Sequence, residues 1–303
     1  MAAPRPDPRT RHFGVFYGLE EPAGDGPAVL VVGNCQAESL RLMLDGGGLR
    51  TVRLPPVHEL VAADLPHLAR WLARTTLLIT QPIRDDYHGL PLGSAQLSEQ
   101  LGPGGRTLRV PVIRFAGLYP AHVIVRPPSD PSLVPPVVAY HDLRVLAEAA
   151  GLRGRSRLDV PAVRAIARHS LDQLRTREVA HGTVVVSDLF EAPSFAQMRT
   201  LNHPGNPVWT VLAARVRAAL GLPEHVVDPG RPLLDSIHAP REPAVAEAWG
   251  LDEPDRPHWV VDGRVVEAGV VREAHLDWYA RHPDAVRAGL ARHADARRIL
   301  GLG

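Results

Sequence analysis

The stretch AVLVVGNCQAESLRLMLDGGG, residues 28–48, changes its hydrophobic period halfway along. Ala28 to Val32 are five consecutive apolar residues, which predicts a buried parallel strand; from Gln36 the apolar positions Leu40, Met43 and Leu44 follow helical spacing. Asp45 and the triplet Gly46, Gly47 and Gly48 stop that helix, and TVRL at 51–54 offers a second short strand. Strand, tight turn, helix and strand make a βαβ unit.

The alternation continues outward from this unit. A helical face is predicted over 58–74, a strand at TTLLIT (75–80), a helix over 95–101 and a strand at TLRVPVIRF (107–115). A proline-dense loop over 126–136 precedes helices at 142–150 and 160–178, a buried strand at GTVVVSDLFE (182–191) and a helix at 208–220. WVVDGRVV (259–266) reads as an Asp-Gly hairpin, with amphipathic helices around Trp278 and over 285–300. The expected class is α/β, a mostly parallel sheet with helices on both faces and helical and hairpin additions at the C-terminal end. The expected organisation is a loose, Pro- and Gly-rich arm over 1–27, an α/β core over 28–222 and a packed extension over 223–303.

Composition limits the chemistry. Among 303 residues, 34 basic against 33 acidic side chains leave a formal charge of +1, so no global field is available to hold a nucleic acid or an anionic membrane. All the basic side chains are arginine, which removes Schiff-base and lysine general-base mechanisms. A single cysteine rules out an intrachain disulfide or a multi-cysteine zinc site. The opening MAAPRPDPRTRHF has no apolar signal region, and the run at 28–32 is far shorter than the roughly 20 residues a spanning helix needs. The expected compartment is the cytoplasm, with no membrane and no metal.

In such sheets ligands bind beyond the carboxyl ends of the strands. The groups placed there are Gly33, Asn34, Cys35 and Gln36 after the first strand, and Gln81, Arg84, Asp85, Asp86 and Tyr87 after the third. Arg114 and Tyr119 follow the next, and Ser187 and Asp188 the late one. Cys35 at a strand-to-helix turn faces backbone N–H groups and the positive end of the helix dipole, which predicts a stabilised thiolate nucleophile. The Gln36 N–H and the amides of Asn34 and Gln81 are candidate donors to an oxyanion. The alternative is a cysteine that acts only as a small buried hydrophobe. His203, in the loop Asn202-His203-Pro204-Gly205-Asn206-Pro207, is the favoured proton carrier over His122 and His141, and Asn202 could orient its ring. Asp188 is either the group that orients His203 or an N-cap for the residues that follow it. Arg84 and Arg114 could clamp a phosphate or carboxylate. Asp85 and Asp86 read as turn residues.

The strand followed by GNCQ, the run QPIRDDY (81–87), SDLFE (187–191) and NHPGNP (202–207) together resemble the WcbI-type polysaccharide-biosynthesis family, over about 28–220. The resemblance implies a variant of the SGNH-hydrolase fold, coenzyme A binding and acyltransferase activity, typically acetylation of a sugar. It puts Cys35 where the SGNH opening block has serine. Asp188 stands much further upstream of His203 than the aspartate of the usual SGNH hydrolases stands from its histidine. The expected activity is cysteine-dependent transfer of an acyl group from a coenzyme A thioester to a hydroxyl or amine of a sugar or small metabolite. A cysteine hydrolase, or a non-catalytic coenzyme A or sugar-binding protein, is the alternative.

Overall fold

The computed structural model describes residues 6–22, 28–154, 157–225 and 227–303. The chain forms two compact units, one of Met1–Val112, Thr176–Val186 and Asn206–Leu233, the other of Ile113–Arg175, Ser187–Gly205 and Leu234–Gly303.

The first unit opens with two short helices, α1 (Pro8–His12) and α2 (Gly14–Tyr17). Residues 1–5 and 23–27 of the expected loose arm lie outside the described residues, whereas 8–17 are helical and their Phe16 is fully buried. Asp7 explains the start, since its carboxylate accepts the Thr10 N–H at 3.0 Å and Pro8 takes the first helical position. Arg9 then forms a two-pronged pair with Asp64 at 3.0 and 2.8 Å, and the Trp71 indole donates to the Phe16 carbonyl at 3.0 Å. These long-range partners hold the segment on the sheet.

Four parallel strands follow: β1 (Ala28–Val32), β2 (Arg50–Val52), β3 (Leu77–Thr80) and β4 (Arg106–Arg109), in the order β2-β1-β3-β4. Helices α3 (Cys35–Leu44), α4 (Leu65–Arg74) and α5 (Ser94–Glu99) connect them. All five residues of β1 are buried, as a central strand covered on both faces requires. Leu30 and Val32 pack with Leu68, Trp71 and Leu72 of α4 and with Phe16. Strand alternation turns Val29 and Val31 to the opposite face.

Three expectations change here. The residues expected to form one helix over 58–74 form 3-10 turns at Val57–Glu59 and Ala62–Asp64 before α4, where Pro66 in the first turn favours a helical start. The strand expected over 107–115 ends at Arg109, because Pro111 has no N–H to continue a ladder. That stop has a consequence at the late strand expected over 182–191. Val184 donates its N–H to the Arg109 carbonyl at 3.0 Å, but beyond Arg109 there is no regular edge to pair with. Residues 183–186 therefore form no strand, and Ser187–Phe190 is a 3-10 turn.

The second unit carries α6 (Leu143–Ala149) and the first part of α7 (Val160–His181), whose later residues belong to the first unit, as does α8 (Asn206–Ala219). On α8 the buried Arg217 donates to the carbonyls of Pro223 and Gly47, each at 2.7 Å. Within the second unit, β5 (His122–Val123) pairs antiparallel with β6 (His141–Asp142), and β7 (Met198–Thr200) with β8 (His203–Pro204). A third antiparallel sheet joins β9 (Ile237–His238), β10 (His258–Val261) and β11 (Arg264–Glu267). The predicted Asp-Gly hairpin links β10 to β11, with Asp262 and Gly263 both left-handed at φ 47° and 77°, the type I′ geometry that suits twisted strands. Helices α9 (Pro243–Trp249), α10 (Ala268–Arg281), α11 (Pro283–Arg292) and α12 (Ala294–Ile299) complete it. Its core gathers Val123 and Val125 with Leu143 and Leu146 of α6, Trp278 and Tyr279 of α10, and Leu290 of α11.

Candidate active site

Cys35 is the first residue of α3, reached directly from β1 through Gly33 and Asn34. Asn34 is the N-cap: its side-chain oxygen accepts the Gln36 N–H at 2.9 Å. Its own backbone N–H donates to Gln81 Oε1 at 2.9 Å. Gln81 is buried at the end of β3, and its Nε2 lies 3.2 Å from Gln36 Oε1 and 3.4 Å from the Pro111 carbonyl. The amide of Gln81 thus ties the ends of the first and third strands together under the cysteine. Gly33 makes room for it, because a Cβ there would lie 2.4 Å from Gln81 Oε1. The Gly33 carbonyl accepts the Val57 N–H at 2.8 Å, which fastens the His58- and Glu59-bearing turn to the same strand end.

The predicted cluster of Gly33, Asn34, Cys35, Gln36 and Gln81 is therefore one hydrogen-bonded construction. Its electrostatics differ from expectation in two ways. Burial pushes the half-buried Cys35 thiol above the ordinary thiol pKa and the Glu59 carboxylate adds to this; the backbone N–H groups of Cys35 and Gln36 pull down and do not prevail. The resting state is a neutral thiol rather than the expected thiolate. The Gln36 N–H, expected as an oxyanion donor, is already taken by the Asn34 cap, and the Gln81 amide is engaged on both sides. The Cys35 N–H faces the Cys35 sulfur itself, and the Asn34 NH2 group has no hydrogen-bond partner among the described residues.

A raised thiol pKa has a direct signature. Alkylation of Cys35 by iodoacetamide is expected to follow a pH profile with its midpoint above that of a free cysteine in a peptide; a midpoint below it would show a stabilised thiolate.

Arg84 is exposed on the loop after β3 and has no ion-pair or hydrogen-bond partner among the described residues. Tyr87 packs against the core beside it and stacks on His88 with ring centres 4.2 Å apart. Asp86, at φ 52°, accepts from Gln96 Nε2 at 2.8 Å, the turn role read from the sequence.

The remaining predicted residues belong to the second unit. His203 lies on β8 rather than in an irregular loop. Burial, reinforced by Arg199 and His238, drives its pKa to about 4, so its ring is uncharged at neutral pH. Among the described residues its buried Nδ1 has no hydrogen-bond partner, so Asp188, exposed in the 187–190 turn and not at the end of a buried strand, makes no hydrogen bond to that nitrogen of the kind a triad requires. Asn202 accepts the Tyr140 hydroxyl at 2.8 Å, and the edge of Tyr140 meets the His203 ring at 5.9 Å. Arg114 is exposed. His141 is structural, with Nδ1 2.6 Å from the Tyr279 hydroxyl and Nε2 3.2 Å from the Val125 carbonyl; His122 stacks on Trp259.

The sequence reading passed over His58 and Glu59. Their signal was present, since they follow β2 just after Pro55 and Pro56, at the same edge of the sheet as the residues chosen. Among the described residues no three or more His, Cys, Asp or Glu side chains converge as a metal site would need, and no helix is long and apolar enough to cross a membrane.

This fold is found in a known protein family. The chain belongs to the family of the polysaccharide biosynthesis enzyme WcbI, whose profile matches residues 28–225. A solved structure of WcbI, described as a novel polysaccharide biosynthesis enzyme in its native form without a disulfide bond between coenzyme A and a cysteine, has the same fold. The TM-score is 0.74 at 23% identity, covering 91% of this chain and 97% of that one. No curated protein matches the chain.

Proposed function

We propose that the chain is a cysteine-dependent acyltransferase of polysaccharide biosynthesis, carrying an acyl group from a coenzyme A thioester to a hydroxyl or amine of a sugar precursor. The observation that carries the reading is the position of the chain's one cysteine, at the first turn of α3 and braced by Asn34 and Gln81. The solved WcbI structure adds support, since its description names a disulfide bond between coenzyme A and a cysteine of that protein, a bond that form lacks.

The chemistry follows from the groups present. The Cys35 thiol gives up its proton to a base as the sulfur bonds to the thioester carbonyl carbon, and the Asn34 side-chain amide receives the oxyanion. Collapse breaks the bond to the coenzyme A sulfur, which leaves as a thiol after taking a proton. The acceptor oxygen or nitrogen then attacks the acyl-cysteine, loses its proton to the base and regenerates the free thiol. Exchange of one thioester for another is close to balanced, which suits sulfur better than oxygen at this position.

A neutral thiol makes the base indispensable, and two histidines qualify. His203 is uncharged at neutral pH, the form that accepts a proton. His58 rides on the turn fastened to Gly33, beside the Glu59 whose charge acts on the thiol. His203→Ala is expected to lower kcat by roughly 10²–10⁴-fold with His58→Ala near wild type. The reverse order assigns the proton to His58, and wild-type rates in both variants contradict histidine catalysis.

Transfer itself is tested by mixing the protein with acetyl-coenzyme A and a hydroxyl-bearing nucleotide sugar and following release of free coenzyme A thiol. Release that depends on the acceptor is expected. Equal release without acceptor indicates hydrolysis, and no release with any acceptor contradicts the acyltransferase.

A further inference from the structure

Residues 237–261, beyond the stretch matched by the family profile, hold an arrangement that the acyl chemistry does not use. Arg241 and Arg256 face each other across an isolated antiparallel bridge, Arg241 N–H to the Arg256 carbonyl at 2.8 Å and Arg256 N–H to the Arg241 carbonyl at 3.3 Å. Directly opposed residues of such a bridge project on the same side, and like charges there oppose each other. Among the described residues neither arginine has a carboxylate within ion-pair distance. Glu253 and the exposed Asp255 pair with neither. Arg241 lies over the Phe195 ring at 4.7 Å, and Arg256 reaches only the Ala239 carbonyl, at 2.7 Å. The Nε of each is buried and has no hydrogen-bond partner among the described residues.

The surroundings bring a further guanidinium, balanced by its own carboxylate, and a histidine whose pKa burial lowers. Arg199 and His238 share one carboxylate, Asp235, at 3.1 and 2.9 Å. The charges converge: burial and then Arg241 lower the Arg256 pKa, while Arg256, Arg241 and Arg199 all act against the burial that raises the Tyr119 phenol. Two half-buried guanidinium groups held side by side without a counter-charge cost stability in the empty protein. Their cost is offset once an anion with several oxygens sits between the two forks, the geometry in which arginine donates in pairs.

We propose that Arg241 and Arg256, flanked by Arg199 and His238, form a site for a phosphoryl group, preferentially a diphosphate. Two uncompensated charges favour a multiply charged phosphate over a single carboxylate. Coenzyme A and a nucleotide-activated sugar both present this chemistry. The site is independent of Cys35, so failure of the acyltransferase reading leaves it standing.

Calorimetric titration of the full chain with sodium pyrophosphate tests it. The wild type is expected to bind with an affinity that falls as salt is added, and Arg241→Gln and Arg256→Gln are each expected to weaken binding by roughly tenfold or more. Arg256→Lys, which keeps the charge and loses the fork, falls between, and Cys35→Ala binds as wild type. Thermal unfolding without ligand shows which variants are folded. If a glutamine variant fails to fold, the Arg256→Lys titration carries the test. No binding by the wild type, or equal binding by folded variants, overturns the proposal. Displacement of pyrophosphate by coenzyme A places the phosphoryl group on the acyl donor and displacement by uridine diphosphate places it on the acceptor; displacement by neither overturns the site as one for such ligands.

Discussion

Cys35→Ala is expected to abolish acyl transfer, lowering turnover by roughly a thousandfold or more, while the protein still folds and binds coenzyme A. The size of the effect follows from the sequence itself. With one cysteine and no lysine, the chain holds no other thiol and no amine side chain to accept the acyl group. Folding should survive because the local structure does not depend on the sulfur. The α3 cap is made by Asn34 and the brace by Gln81, neither through the thiol. Parallel assays of turnover and of coenzyme A binding separate the two roles. Loss of both would make Cys35 a structural residue, and retained turnover would remove it from the chemistry.

Gly33→Ala is expected to have the next largest effect, without touching a reacting atom. The new methyl would sit 2.4 Å from Gln81 Oε1 and 2.7 Å from its Cδ, so the buried amide must move. Moving it breaks the bond to the Asn34 N–H and loosens the links to Gln36 and the Pro111 carbonyl. Overpacking and a lost buried hydrogen bond together predict a loss of about 1–3 kcal/mol in unfolding free energy. Displacement of the turn by even a fraction of an ångström predicts a fall in kcat of roughly a hundredfold. Denaturant unfolding and steady-state kinetics on the same preparation check both. A variant that is destabilised but fully active would show that the Gln81 brace supports the fold and not the reacting geometry.

The βαβ opening was legible because its evidence is local. The switch from the continuous apolar run at Ala28–Val32 to helical spacing at Leu40, Met43 and Leu44 lies in adjacent residues, and so does the Asp262-Gly263 turn. The late strand was not legible for the opposite reason. The run at 184–186 is apolar enough, yet a strand needs a ladder to join, and Pro111 ends the neighbouring one. The same division runs through the site. Asn34, Gln36 and Gln81 were found by position at strand ends, and their mutual bonds then follow from a short geometry. The charge state of Cys35 was not available from position, because the helix dipole and burial act in opposite directions and only the three-dimensional surroundings decide which prevails. Asp188, expected either to orient His203 or to cap the residues after it, stands in a 3-10 turn and not at a strand end, because the strand that was to present it does not form.

The central claim is that the Cys35 sulfur carries the acyl group between donor and acceptor. Its most direct test is the intact mass of the protein, quenched in acid after mixing with acetyl-coenzyme A and no acceptor, followed by peptide mapping. One acetyl group per chain, located on Cys35 and removed when an acceptor is added, is the predicted result. An unmodified Cys35 in a protein that nonetheless consumes acetyl-coenzyme A would contradict it.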